Sequence, residues 1–180
     1  YNYDQGYKPD FPGENDFRGQ IIHPQHWPED LDYAGKKVVI IGSGATAITL
    51  VPTMAEQAAH VTMLQRSPTY LMPLPSTDKV SLALQKILPE RTAYRLTRAR
   101  NISISRFLYL RSRRSPKFMR RLFLGIIKRK VGDTADMRHF TPDYNPWDQR
   151  LCVVKDGDLF QAMKAGKASI ATDHIDRFTE

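Results

Sequence analysis

Cysteine is almost absent from this sequence. Its 180 residues include one cysteine, Cys152, which excludes an internal disulfide and a cysteine-cluster metal site, so no metal is expected. The chain also lacks a run of about 18 apolar residues, which excludes a transmembrane helix. Its first residues show no signal-peptide pattern, and we expect a cytoplasmic location. The 41% of apolar residues can build a core, which excludes a fully disordered chain.

Acidic residues are scarce in one segment only. Residues 79–139 contain 17 Lys and Arg residues and three acids. The rest of the chain contains 10 Lys and Arg residues and 16 acids, although the whole chain has a net charge of +8. Two compositions this different predict a basic insertion, at about residues 76–140, carried by a mildly acidic framework.

A strand–helix–strand unit is predicted at the start of the framework. Residues 36–41 form a β-branched run that is apolar on both faces, which favours a central parallel strand. Residues 45–58 are predicted to form a helix, and residues 60–66 a second strand. Residues 1–35 have no sustained period and several prolines and glycines, so they are predicted to form a connector.

The remaining residues predict helices in the insertion and a return to the framework. Ser76 or Thr77 is expected to cap a helix ending at Leu88, and a second helix is expected at about residues 90–113. A third begins at Ser115 as its cap and closes at Gly132. Beyond it we predict a strand, a helix closed by a glycine and another strand, at residues 151–154, 158–165 and 169–172. Residues 36–180 are therefore interpreted as an α/β, Rossmann-like domain with a parallel sheet and a long basic helical insertion.

The turn between the first strand and its helix matches G-x-G-x-x-A. It consists of Gly42, Ser43, Gly44, Ala45, Thr46 and Ala47. Gly42 permits a tight turn, Gly44 lets a pyrophosphate approach the backbone, and Ala47 lets the helix lie close to the sheet. The helix N-terminus then offers free N–H groups to phosphates. The strand before and the helix after the motif favour a dinucleotide site over a purely structural turn.

Arginine stands where an NAD-binding site would have an acid. Arg66 and Ser67 follow the second predicted strand. A carboxylate there would repel a ribose 2′-phosphate, whereas an arginine can bind it with two charge-assisted bonds and a serine can add a hydroxyl. The sequence therefore predicts NADP(H), with a solvated surface arginine as the alternative for Arg66.

A second motif precedes this unit. Phe17, Gly19, His23, Trp27 and Pro28 match F-x-G-x-x-x-H-x-x-x-W-P at every fixed position. The motif resembles the fingerprint of Baeyer–Villiger and related flavin-containing monooxygenases. The resemblance extends over the chain, including its QRSPTY and YNPWDQRL stretches, and is greatest to the monooxygenases that activate ethionamide-type prodrugs.

The resemblance implies an enzyme with two dinucleotide-binding domains, one for FAD and one for NADPH. In that family a C4a-peroxyflavin places one oxygen atom of O₂ into a ketone or a sulfur-containing substrate. Only one glycine motif is present, so we expect the NADPH-binding part of a longer enzyme whose FAD-binding domain and small-molecule substrate are its partners. The isolated chain is expected to bind NADPH, to take up no FAD and to be inactive.

The resemblance also assigns roles to two further residues. Arg150 falls where Baeyer–Villiger enzymes have the arginine that stabilises the peroxyflavin anion, which is a sound use of a fixed charge. Relatives often have Lys-Arg there and this chain has Gln149 before it, so a loop-anchoring ion pair is the alternative for Arg150. His23 is interpreted as a hinge or cofactor-linked residue, or else as a histidine satisfied by backbone groups.

The basic insertion leaves other functions open. Its helices can pack on their own domain, on the FAD domain or on an anionic membrane, and no motif indicates nucleic acid. One alternative is a flavin-containing N- or S-monooxygenase without Baeyer–Villiger activity. Another is a non-enzymatic basic module that binds membrane or nucleic acid. A flavin disulfide reductase needs paired cysteines, and Cys152 is alone.

Overall fold

A computed structural model describes residues 9–180, so the first eight residues of the predicted connector lie outside the described residues. Between residues 9 and 36 the chain forms two single 3₁₀ turns, Glu14–Asp16 and Pro24–His26, and is otherwise irregular. In chain order the later elements are β1 (Lys37–Ile41), α1 (Ala45–Met54), β2 (His60–Gln65), β3 (Tyr70–Leu74), α2 (Lys79–Ile87), α3 (Glu90–Arg114), α4 (Pro116–Val131), a third 3₁₀ turn (Met137–Phe140), β4 (Leu151–Lys155), α5 (Asp158–Lys164) and β5 (Ala168–Thr172).

The strands form two parallel sheets, which confirms the predicted α/β class. The first has the order β1-β2-β5 and the second pairs β3 with β4. The prediction that β1 is central was wrong for this sheet, because β1 lies at its edge. In the described part of the chain β1 pairs only with β2. Val39 and Ile41, which share one face of β1, are 60% and 49% exposed, so that face is uncovered as well.

Strand β3 was not predicted, because the QRSPTY stretch and Pro73 both indicate a turn or loop. The structure tolerates Pro73 because, among residues 9–180, β3 pairs with β4 alone, so one of its edges needs no ladder hydrogen bonds. The predictions of β4, α5 and β5 are confirmed to within a residue or two of their ends.

One apolar core holds the framework together. Helix α1 buries one side, including Ile48 and Val51, while β2 contributes Val61 and Met63. Helix α5 adds Leu159, Phe160 and Met163, and the far end of α4 adds Ile127 and Val131. Within α1 and α5 the buried residues recur at the helical period, and within β2 they alternate, so each element turns one apolar face to the core.

The helical insertion begins and ends at identifiable signals. The cap of α2 is Asp78, not Ser76 or Thr77, because its carboxylate accepts both the Val80 and Ser81 N–H groups at 3.1 Å. Ser115 occupies the cap position of α4, but its side chain makes no capping bond. Proline at the first helical position therefore begins α4 without side-chain capping.

The end of α4 was predicted correctly. Gly132 has φ +60°, a conformation that side chains disfavour, and it ends the helix at Val131. A second, smaller apolar cluster joins α4 to β3 through Tyr70, Met119 and Phe123. The insertion is thus attached to the framework by its last helix.

Helix α3 is packed only near its ends. Ala93 and Ser112 are its buried residues, whereas every residue from 101 to 107 is exposed. Across residues 9–180, no helix is both long enough and apolar enough to cross a membrane.

Candidate functional site

The glycine loop, residues 42–47, lies where β1 and β2 end side by side. The Gly42 N–H donates to the Leu64 carbonyl at 2.7 Å, which ties the loop to the neighbouring strand. Gly42 has φ +125°, so a side chain here would be strained. At Gly44 a Cβ atom would lie 3.2 Å from Nη1 of Arg150. Gly42 therefore serves the turn that the motif predicts, and Gly44 leaves room for the Arg150 side chain. The approach of a pyrophosphate to Gly44 stays a prediction.

The N-terminus of α1 opens from this loop. Gly44 caps the helix without a side-chain bond, so the first N–H groups have no partner within the helix. Ala45 and Thr46 are exposed there, whereas Ala47 is buried against the sheet. The partial positive charge of the helix end therefore faces open space and can receive an anion.

The loop after β2 lies beside the glycine loop. The Ser43 hydroxyl donates to the Ser67 carbonyl at 3.4 Å, joining the two loops. Arg66 follows directly after β2 and is exposed. It forms no ion pair or hydrogen bond with any of the described residues, so its guanidinium is free to bind an anion.

An open pocket of about 180 Å³ separates the glycine loop from the beginning of the second sheet. Its lining includes Ser43, Gly44, Ser67, Thr69, Tyr144 and Arg150. The pocket thus lies between the carboxyl ends of β1 and β2 and the amino ends of β3 and β4. Crevices at the carboxyl ends of parallel strands are the usual ligand sites of open α/β sheets. Arg66 stands outside this lining, one residue before Ser67.

Arg150 enters the pocket immediately before β4. Its side chain is exposed and has no carboxylate partner among residues 9–180, so the structure gives no support to the ion-pair alternative. Below it, the buried Cys152 thiol donates to the Ser43 carbonyl at 3.9 Å. Burial raises the pKa of Cys152, an effect that the Arg150 charge opposes. The thiol is therefore protonated at neutral pH and packs in the apolar core.

Three residues near the site were not singled out from the sequence. Gln65, 2% exposed, donates to the His139 carbonyl at 2.7 Å and to the Thr172 hydroxyl at 2.9 Å, which anchors the end of β2 beside Arg66. Strand alternation could have indicated Gln65, because it shares the inward face of the buried Val61. Thr69 and Tyr144, which line the pocket, carry no comparable signal.

The fingerprint residues lie elsewhere in the described structure. The Phe17 ring covers Gly19, where a Cβ atom would lie only 2.5 Å from the ring. Phe17 also packs edge-on against Phe178, with ring centroids 5.8 Å apart. Asp16 pairs with Arg177 at 3.0 Å. This part of the motif therefore holds the connector against residues 177 and 178.

His23 caps the 3₁₀ turn that follows it. Its Nδ1 accepts the Gln25 N–H at 3.3 Å, which agrees with a histidine satisfied by backbone groups. Trp27 is 40% exposed and the Pro28 carbonyl accepts the Leu31 N–H. No hydrogen bond, ion pair or ring contact described for residues 9–180 joins the fingerprint to the glycine loop. Of the predicted site residues, the structure brings Ser43, Gly44, Ser67 and Arg150 to one pocket, with Arg66 directly before Ser67.

Known proteins are similar to this chain in sequence and in fold. Residues 4–131 match the family described as flavin-binding monooxygenase-like. The chain is 61% identical over its whole length to the probable FAD-binding monooxygenase AlmA of Acinetobacter baylyi, of which it covers 36%. It is 54% identical over 99% of its length to the FAD-containing monooxygenase EthA of Mycobacterium tuberculosis, of which it covers 37%. The structure of OTEMO in complex with FAD and NADP has the same fold, with a TM-score of 0.67 at 20% identity, over 96% of this chain and 40% of that one. The chain spans little more than a third of the curated relatives it matches, and it belongs to the flavin-binding monooxygenase-like family.

Proposed function

We propose that this chain is the NADPH-binding part of an FAD- and NADPH-dependent monooxygenase. The whole enzyme would insert one O₂-derived oxygen atom into a ketone or a sulfur-containing substrate, and bound FAD would supply the oxygen-activating chemistry. One observation carries the proposal: the glycine loop and an unpaired Arg66 end two neighbouring parallel strands. A flavin-containing N- or S-monooxygenase without Baeyer–Villiger activity is the alternative within the same family.

The glycine loop fits a pyrophosphate. Gly44 has no side chain to block the approach, and the α1 N–H groups behind it are unpaired. Arg150 approaches the same backbone from across the pocket. Two phosphates would therefore meet a helix end on one side and a guanidinium on the other.

Arg66 fits the group that distinguishes NADPH from NADH. It follows the strand next to the glycine loop, where the adenosine ribose of a bound dinucleotide lies. Arginine can donate two parallel bonds to a 2′-phosphate, and Ser67 has an exposed hydroxyl beside it.

Arg150 is proposed to act in two steps. Its guanidinium is close enough to the glycine loop to contact the dinucleotide, and in the whole enzyme its fixed charge would face the negative charge that develops when oxygen is activated. The absence of a carboxylate partner in the described residues leaves the charge unneutralised for both purposes.

The direct test replaces Arg66 by alanine. NADPH binding should weaken by about 2 kcal/mol, or roughly 30-fold, since a charge-assisted bond is lost. NADH binding should hardly change, because NADH has no 2′-phosphate. Calorimetric titration of both cofactors measures the difference. Arg129→Ala, an exposed arginine of α4, is the matched control, and equal losses for NADPH and NADH would overturn the assignment.

A second proposal concerns the surface of the insertion, which we assign to contact with an anionic membrane. Helices α3 and α4 contain 14 Lys and Arg residues and a single acid, Glu90. Arg91, Arg95 and Arg98 repeat at helical spacing, and their side chains form no ion pair or hydrogen bond within the described residues. Exposed apolar side chains continue the same face, with Ile102 at 53% and Tyr109 at 46%. Unpaired cations interleaved with exposed apolar groups are typical of helices that lie on anionic bilayers.

Vesicle co-sedimentation tests this surface in the full-length enzyme. The enzyme should bind vesicles that contain phosphatidylglycerol and should not bind neutral phosphatidylcholine vesicles, with binding lost at high salt. Changing Arg91, Arg95 and Arg98 to Gln should reduce binding strongly. Changing Lys155, Lys164 and Lys167 of the framework to Gln removes the same charge and should leave vesicle binding unchanged. Equal effects of the two triple variants, absence of vesicle binding, or preferential binding to DNA would overturn the membrane assignment.

A further inference from the structure

Arg150 ends a loop that has little structure of its own. The loop, residues 141–150, connects the insertion to β4. In the described structure it has one internal backbone hydrogen bond, which the Asp148 N–H donates to the Asn145 carbonyl at 3.1 Å. Nevertheless the Arg150 side chain lies close to the glycine loop: a Cβ atom added to Gly44 would lie 3.2 Å from its Nη1. Contacts outside the loop must therefore fix its course.

Helix α3 holds the middle of the loop. Trp147 Nε1 donates to the hydroxyl of Ser112 at 3.1 Å, and Ser112 in turn donates to the Leu108 carbonyl at 2.7 Å. Ser112 is fully buried, so both bonds are shielded from water. The Trp147 ring also packs edge-on against Tyr109, 5.8 Å between centroids, and Asp148 pairs with Arg113 at 2.5 Å.

The backbone at the centre of these contacts is strained. Trp147 has φ +71°, a conformation that a bulky residue adopts only when its surroundings impose it. The bond that Trp147 donates to Ser112 and the bond that Asp148 accepts from Arg113 hold the loop three and two residues before Arg150.

Helix α4 holds the beginning of the loop through Arg120. Its Nη1 donates to the Tyr144 carbonyl at 3.0 Å and to the Tyr70 hydroxyl at 2.9 Å. The buried Tyr70 hydroxyl donates to the same carbonyl at 2.8 Å. From there the Tyr144 hydroxyl meets Thr69 at 3.0 Å, and Thr69 donates to the Arg150 carbonyl at 3.4 Å. Hydrogen bonds to the two ends of Tyr144 and to Thr69 thus connect α4 with the backbone of Arg150.

We propose that the basic insertion is a bracket for the nucleotide site, in which Arg120, Ser112 and Arg113 are positioning residues that hold Arg150 against the glycine loop. The inference rests on the proposed NADPH site and identifies the residues that orient Arg150, which lies across the pocket from the glycine loop. A charged group contributes to binding or reaction only when it is held at the right distance, so loss of the bracket acts through Arg150.

A double-mutant cycle in the full-length enzyme tests this coupling. Arg120→Met should weaken NADPH binding roughly threefold to tenfold, the scale of a lost hydrogen bond. In an Arg150→Ala background the same change should have almost no effect, because the residue it positions is gone. Arg120→Lys should recover part of the affinity, since lysine can still donate to the Tyr144 carbonyl. Arg121→Met is the matched control, being exposed and without a partner in the described structure.

Hydrogen exchange followed by mass spectrometry supplies a readout that needs no cofactor. Peptides covering residues 141–150 should exchange faster in Arg120→Met and in Ser112→Ala, and should not change in Arg121→Met. An equal loss of NADPH affinity with and without Arg150, or unchanged exchange in the loop, would overturn the bracket. If the wild-type enzyme binds no NADPH, the proposed function fails, and the exchange data alone then decide whether the bracket exists.

Discussion

The framework and the insertion of this chain are built on different principles. The framework buries its apolar residues in one cluster shared by α1, α5, β2 and part of α4. The insertion exposes much of its apolar surface and collects most of the positive charge. Two turns of α3, residues 101–107, touch neither the framework nor the other helices closely enough to become buried.

Stability and ligand contact depend on different regions of this chain. The residues that could contact phosphates lie on the framework or at its margin, whereas the insertion contributes hydrogen bonds that orient one of them. A change in the framework core should therefore unfold the domain, while a change in the insertion should act locally. Each of the following experiments sets one region against the other.

The largest effect is expected for a pair of phenylalanines. Phe160 of α5 is 2% exposed and packs against Phe140 at 6.0 Å, whereas Phe107 of α3 is 64% exposed. Phe160→Ala should reduce the free energy of unfolding by about 3–5 kcal/mol, since it removes a buried ring and leaves a cavity. Phe107→Ala should change it by less than about 0.5 kcal/mol. Urea denaturation measures both, and comparable losses would show that α3 is packed as tightly as the framework.

The sequence predicted the local elements of both regions well. Glycines with positive φ, such as Gly42, Gly132 and Gly166, signal a turn or a helix end through their own backbone preference. The strand–helix–strand unit followed from periodicity within some 30 residues. The glycine turn at the candidate site was therefore predictable, because neighbouring residues determine its conformation.

Contacts between residues far apart in the chain could not be predicted from the sequence. Arg120 reaches Tyr70 and Tyr144, which are 50 and 24 residues away, and neither spacing has a periodic signature. The edge position of β1 also depends on which strands pair, not on its own residues. Asp78 was missed as a cap for a simpler reason, since Ser76 and Thr77 offered the same chemistry two residues and one residue earlier.

The next effect concerns the reaction of the full-length enzyme. At saturating NADPH, Arg150→Ala should leave the rate of flavin reduction nearly unchanged, because reduction precedes the need for its charge. Oxygenated product should fall by roughly 100-fold, since one preorganised charge facing a developing anion is worth about 3 kcal/mol. The lost reducing equivalents should appear as hydrogen peroxide. Arg150→Lys should rescue poorly, because lysine cannot reproduce the planar fork.

Stopped-flow absorbance separates the two half-reactions, and a peroxide assay measures the leak. Arg150 sits at the margin of the framework, so the control is a cation of the insertion, Arg129→Ala, which should alter neither step. Oxygenation at the wild-type rate in Arg150→Ala would show that the catalytic role assigned to this residue is wrong, and would leave it only a role in binding.

The smallest effect is expected from acid, and it should appear in the bracket before the framework. The hydrogen bond from Arg113 is the main cause that holds the pKa of Asp148 below its ordinary value of 3.8. A carboxyl whose pKa is lowered on folding stabilises the folded loop above pH 3.8, and this contribution is lost as the pH falls through the lower, folded value. Because both side chains are partly exposed, the loss should be small.

Hydrogen exchange, corrected for the intrinsic pH dependence, measures that loss. As the pH is lowered toward and below 3.8, residues 141–150 should lose protection while β2, which is largely buried, should keep it. Asp148→Asn should show the faster exchange already at neutral pH and little further change in acid, because it cannot ionise. Simultaneous loss of protection in the loop and in β2 would mean that the two regions unfold as one unit, and that the bracket has no separate stability for Arg150 to depend on.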